Sequence, residues 1–167
     1  MNRHAKYVAL AKKLGAAHAK VIRARDIVVD SRALLKCQFG CDGYWNNWTC
    51  PSVPGSLRPW EFERILNRYR YALLIHCADK RTSQRVSFEI ERQAFVDGNY
   101  FAFSMADCGT CKKCARPREC RNRKVARPAM QGLGIDVFAT ARKQRLPIAT
   151  LKDREQPQNW YSLVLID

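Results

Sequence analysis

The chain has 167 residues and a formal net charge of +15, from 30 Lys+Arg against 15 Asp+Glu. This length allows one domain with a core of its own and is too short for two ordinary domains. No apolar run approaches the length of a bilayer span, and Arg3, Lys6 and Lys12 interrupt the first residues, which excludes a signal peptide. We expect one soluble, cytoplasmic domain over residues 1–167, without membrane insertion.

Helix and strand signals alternate in the first third of the chain. Apolar residues at helical spacing predict a first helix over about 3–14, capped by Asn2 and ended by Gly15. Two short β-prone stretches follow at 21–22 and 27–29. A segment rich in Gly, Asn and Pro, about 37–55, then predicts an irregular loop that contains the first cysteines.

The middle of the chain predicts two helices and two strands. Ser56 can cap a helix that has Pro59 in its first turn. The apolar run Tyr71–Cys77 predicts a buried strand, and a helix beginning at Thr82 or Ser83 follows it. The apolar run 100–105 predicts a strand that leads directly into the second cysteine loop.

The remaining elements complete an α+β pattern. A second cysteine loop covers about 107–127, and Pro128 begins a short helical turn. Asp136 is a suitable N-cap for a helix over 137–144, and the apolar run 160–166 predicts a last strand. We therefore predict a single small α+β domain with a mixed sheet, flanked by helices and by two cysteine-rich metal-binding loops.

The eight cysteines fall into two groups, and only Cys77 stands apart from them. The first group is Cys37-x3-Cys41 with Cys50-Pro51, and the second is Cys108-x2-Cys111-x2-Cys114-x5-Cys120. A chain without an export signal is expected in a reducing compartment, where disulfides rarely persist. We therefore interpret both groups as metal ligands.

The second group favours an iron-sulfur cluster. Three thiols at successive x2 spacing can bind three corners of a 4Fe-4S cubane, and Cys120 or a residue elsewhere can bind the fourth. Zinc is the alternative, although zinc sites more often use two pairs separated by a dozen or more residues. An unmetallated structural or redox role is the third interpretation.

The first group offers only three thiols, so its fourth ligand is open. Cys77 and His76 are candidates, but each can also face the core of the predicted strand. Cross-ligation is a further possibility, with Cys120 serving the first site and Cys50 completing the second. The pattern thus predicts one or two clusters.

A run of basic residues follows the second cysteine group. It comprises Lys112, Lys113, Arg116, Arg118, Arg121, Arg123, Lys124 and Arg127. It can dock an acidic redox protein or a larger oxidoreductase complex, or it can simply offset the cluster charge and face water. Nucleic-acid binding is less favoured because aromatic residues are not interleaved with the cations.

The order of these motifs resembles an uncharacterised family described as predicted metal-binding proteins, domain of unknown function 2284. The residues that carry the resemblance run from LLKCQFGCDGYWNNWTCPS through FVDGNYFAFSMADCGTCKKCARPRECR to RPAMQGLGIDV. The resemblance implies a small iron-sulfur protein of anaerobes and implies no reaction. Its matching positions are the seven grouped cysteines, and Cys77 matches none of them.

Three functions fit these features. The first is one-electron transfer, by a ferredoxin-like module or a subunit of a redox complex. The second is a zinc-stabilised module whose basic face binds nucleic acid or an acidic protein. The third is an enzyme in which a three-thiol site leaves one iron open to substrate, so whether the protein is an enzyme stays undecided.

Overall fold

A computed structural model describes residues 3–115, 119–153 and 155–167. The α-helices in this part are α1 Ala5–Lys13, α2 Ala33–Gly40, α3 Pro59–Leu66, α4 Lys80–Val96 and α5 Val137–Lys143. The strands are β1 His18–Arg23, β2 Tyr71–Cys77, β3 Phe103–Met105 and β4 Trp160–Leu165. Short 3₁₀ turns lie at Ala24–Asp26 and Gln131–Leu133. The α+β class is as predicted.

The four strands form one sheet in the order β1-β2-β4-β3, and every neighbouring pair is antiparallel. The predicted mixed sheet is therefore wrong. β2 and β3 do run in the same direction and are joined through α4, as in a parallel crossover. The C-terminal strand β4 inserts between them, however, so that β2 and β3 never pair with each other.

Both faces of the sheet are covered by apolar clusters, and the side chains of β2 alternate between the two. Ala72 and Leu74 pack with α3 and α5 on one face, whereas Leu73, Ile75 and Cys77 pack with α1 and α4 on the other. This explains why β2 has an almost continuous apolar sequence instead of alternating polar residues.

The ends of several helices differ from the sequence predictions. α3 begins without the predicted Ser56 cap: the Glu61 carboxylate accepts from the Arg58 backbone N–H at 2.7 Å, and the Ser56 hydroxyl donates to the Cys50 carbonyl at 3.1 Å. α4 begins before Thr82, because the Asp79 carboxylate accepts from the Thr82 N–H at 2.9 Å. Asp136 caps α5 as predicted, at 2.8 Å from the Ala139 N–H.

α2 was not predicted. It places Cys37 inside a helix and Cys41 at its C-cap, where the sequence suggested an irregular loop. The segment ALLKCQFG consists mostly of good helix formers but is only two turns long, and it lacks a capping side chain that would reveal it. None of the helices in the described part of the chain has the length and apolarity needed to cross a membrane.

Candidate metal centre

The first three thiols lie within α2, at its C-cap and in the loop that follows it. Cys37 and Cys41 are four residues apart, so they lie on one side of the helix end. Beyond Cys41 the chain makes successive tight turns, in which the N–H groups of Tyr44, Cys50 and Val53 each donate to the carbonyl three residues earlier. These turns return Cys50 to the neighbourhood of Cys37.

The electrostatics of Cys37 show that these thiols are neighbours. Burial, followed by the nearby charges of Cys41, Cys50 and Asp107, raises the pKa of Cys37 to about 11. Without a metal the Cys37 thiol is therefore protonated at neutral pH, and metal binding there must release its proton. We call Cys37, Cys41 and Cys50 the first thiol set.

The other four grouped cysteines line one surface cavity of about 510 Å³. We call Cys108, Cys111, Cys114 and Cys120 the second thiol set. Burial raises the pKa of Cys114, and the charges of the other three thiols act in the same direction. Cys111 and Cys114 are exposed, so this set opens to solvent. The grouping favours ligation within each set over the exchange of Cys50 and Cys120 between sets.

Three polar side chains donate hydrogen bonds to the sulfurs. The Asn122 amide donates to Cys111 Sγ at 3.0 Å, the Ser52 hydroxyl to Cys50 Sγ at 2.9 Å and the Gln84 amide to Cys108 Sγ at 3.8 Å. Donors of this kind stabilise negative charge on thiolates and tune the potential of a metal centre.

Gln84 also holds the backbone of the second cysteine loop in place. It lies on α4 and is only 5% exposed. Its carbonyl accepts from the Gly109 N–H at 2.6 Å, and its amide donates to Thr110 Oγ1 at 2.7 Å and to the Val125 carbonyl at 3.2 Å. One side chain thus joins both ends of the loop to the rigid helix.

The two cysteine loops meet at Trp48. Its backbone donates a hydrogen bond to the Cys114 sulfur, and the Arg123 guanidinium lies 4.6 Å from the centre of its ring. Trp45, in contrast, is 62% exposed, so it does not shield the thiols by packing into the core.

The donor chemistry of the sets fits a thiophilic metal. Within the described residues, no three cysteine, histidine, aspartate or glutamate side chains stand ready to hold a metal ion. All eight cysteines are free thiols, however, and four of them face one cavity. Sulfur ligands of this number suit zinc or an iron-sulfur cluster. Cys108, Cys111, Cys114 and Cys120 would hold the group in that cavity.

The two other candidate ligands lie apart from both sets. Cys77 is 0% exposed and packs among apolar residues of α1 and α4, where burial raises its pKa to about 11. His76 stacks on Tyr161 at 4.8 Å, and its Nδ1 lies 3.0 Å from that of His18. Burial and then the neighbouring His18 lower the pKa of His76. This packing favours structural roles for both residues.

The side chains of the basic run do not share one environment. Lys112, Lys113 and Arg121 border the thiol-lined cavity. Arg127 instead forms an ion pair with Glu91 in which each side chain is only 13% exposed. Arg116 and Arg118 lie outside the described residues.

Sequence reasoning missed the polar residues on the buried side of α4, of which Gln84 contacts the second cysteine loop. Gln84, Ser87 and Glu91 recur at helical spacing on one face of α4, together with the buried Ile90. Polar residues on the apolar side of an amphipathic helix are the signal that could have identified them. Asp107 was missed as well, although it directly precedes Cys108.

An α+β domain with seven thiols in two neighbouring groups defines a cysteine-rich metal-binding protein. The family comparison agrees, since the model of the family described as "Predicted metal-binding protein (DUF2284)" matches residues 20–166. The chain belongs to this family. No curated protein and no solved structure shows significant similarity to it.

Proposed function

We propose that the protein carries iron-sulfur clusters, of the 4Fe-4S type, on its two thiol sets and transfers single electrons through them. The observation that carries this proposal is the cavity lined by four thiols at the surface of the domain. A bound cluster would supply the one-electron chemistry. The thiols hold the group, and the Asn122, Ser52 and Gln84 donors stabilise its negative charge.

Metal content tests this proposal directly. Anaerobically purified protein is expected to contain about four irons and about four sulfides for each occupied set, with a broad visible absorption. Replacing both Cys111 and Cys114 by Ala should remove the metal of the second set. The matched control is Cys77→Ala, which changes a buried thiol outside both sets and should keep all the iron. A colourless wild-type protein with zinc and no sulfide would contradict the proposal.

We propose further that Lys112 and Lys113 guide an acidic electron carrier to the second thiol set. Both lysines are exposed beside Cys111 and Cys114, on a chain of net charge +15. Opposite charge accelerates encounter and orients the two proteins. The carrier therefore approaches the cavity that contains the exposed thiols.

Charge reversal tests the docking surface. With reduced plant-type ferredoxin as an acidic probe, the double variant Lys112→Glu, Lys113→Glu should accept electrons about tenfold more slowly at low salt. Its rate should also depend less on ionic strength. The control is Lys12→Glu, Lys13→Glu at the exposed end of α1, which changes net charge equally. Equal slowing by both variants would show that only overall charge matters.

A further inference from the structure

Asp107 is a carboxyl group in an unusual position. It directly precedes Cys108 in the sequence, and it is close enough to Cys37 for its charge to act on that thiol. Among the described residues, no cation lies within ion-pair distance of it. A half-buried carboxylate outside any ion pair can serve as a metal ligand, because it supplies an oxygen donor and a negative charge.

The fold brings Asp107 to the first thiol set through the 3₁₀ turn Gln131–Leu133. The Gln131 amide lies 3.1 and 3.3 Å from the two Asp107 carboxylate oxygens. α2, which contains Cys37, packs against the same turn. Pro51, next to Cys50, also reaches it, since a Cβ at Gly132 would lie 3.4 Å from Pro51 Cδ. Cys37, Cys50 and Asp107 are thus gathered around one short turn.

A cavity of about 610 Å³ opens at the same place. Its wall includes Lys36, Asp107 and Gln131, together with the aromatic side chains of Phe138 and Trp160. Lys36 directly precedes Cys37. The residues that directly precede Cys37 and Cys108 in the sequence, Lys36 and Asp107, therefore both line this cavity. The cavity has the size and the mostly apolar lining of a small-molecule site.

We propose that Asp107 is the fourth ligand of the metal centre formed by Cys37, Cys41 and Cys50. This assignment rests on the proposed function. The first set has three thiols and lacks a fourth, and the amide of Gln131 orients the carboxylate as hydrogen-bonded partners do for metal ligands generally. A carboxylate is a harder ligand than thiolate, so it makes one iron chemically distinct from the others. Because Asp107 also lines the cavity of about 610 Å³, a metal bound through it would lie beside a space that fits a small molecule.

The test compares two isosteric substitutions in the wall of the same cavity. Asp107→Asn should lose about one iron per protein and show the EPR signal of a three-iron cluster after mild oxidation. Asp30→Asn is the matched control, because Asp30 also lines the cavity but is paired with Arg32. It should keep the iron content and the EPR spectrum of the wild type.

Asp107→Cys keeps the test decisive if the Asn variant fails to fold. This variant should retain all the iron, and its Mössbauer spectrum should lack the distinct iron that the carboxylate produces in the wild type. Two results would overturn the assignment but leave the proposed function standing, provided that the wild type contains iron and sulfide. In the first, Asp107→Asn has the same iron content and spectra as the wild type. In the second, the wild type shows no distinct iron. A wild type without iron and sulfide would overturn both.

Discussion

Replacing Glu91 by Ala is expected to lower the free energy of unfolding of the metal-free protein by about 3 to 5 kcal/mol. The Glu91 carboxylate accepts from Arg127 Nε at 2.8 Å, from the Ser104 N–H at 2.7 Å and from the Ser104 hydroxyl at 2.6 Å. The substitution would leave the nearly buried Arg127 without its counter-charge. Urea unfolding, followed by circular dichroism, measures the effect.

The control for this prediction is Glu89→Ala on the same helix. Glu89 pairs with Arg92, but the two side chains are 41% and 65% exposed, so the change should cost less than about 1 kcal/mol. Equal stabilities of the Glu91 and Glu89 variants would refute a structural role for the Glu91–Arg127 pair. They would also return Arg127 to the docking surface suggested by the sequence.

The Glu91–Arg127 pair also predicts an acid dependence of stability. Burial alone would raise the pKa of Glu91, but hydrogen bonds from Arg127 and Ser104 outweigh it and hold the pKa below its ordinary value of 4.5. A carboxyl group whose pKa is lowered by folding stabilises the protein above that ordinary value. Its contribution is lost as the pH falls through the lowered pKa. Glu91→Gln should therefore weaken the loss of stability below pH 4.5.

The thiol sets were predictable because their members are close in sequence. Spacing alone groups Cys108, Cys111, Cys114 and Cys120, and in the structure all four line one cavity. Spacing contains no information about contacts across the fold. The approach of Asp107 to Cys37 depends on the packing of α2 against the turn at Gln131–Leu133, so the sequence could not reveal it.

The sheet illustrates the same limit at the level of the fold. Local patterns identified β2, β4 and the capped helix α5, because continuous apolar runs and N-cap residues are local signals. The order of strands is not local. β4 pairs with β2 across more than eighty residues of chain and converts the expected mixed sheet into an antiparallel one. α2 escaped prediction because tertiary packing, more than intrinsic propensity, stabilises so short a helix.

Gln84 should control how firmly the second thiol set holds its metal. We expect Gln84→Leu, which keeps the size of the side chain but removes its polar groups, to speed metal loss to a chelator by about 10- to 100-fold. The reason is that the Gly109 N–H and the Thr110 hydroxyl lose their partner, so the loop that contains Cys108 and Cys111 is no longer fixed to α4. The rate is measured from the decay of the visible absorption.

Gln93→Leu is the appropriate control for this effect. Gln93 lies on the same helix but is exposed, and its amide donates to Asp97 in the neighbouring turn, at 3.0 Å. Its rate of metal loss should match that of the wild type. Unchanged metal loss in Gln84→Leu would mean that the thiols alone fix the loop. If Gln84→Leu is less stable but releases metal no faster, Gln84 contributes to folding alone. If it releases metal faster with little loss of stability, Gln84 is part of the metal centre.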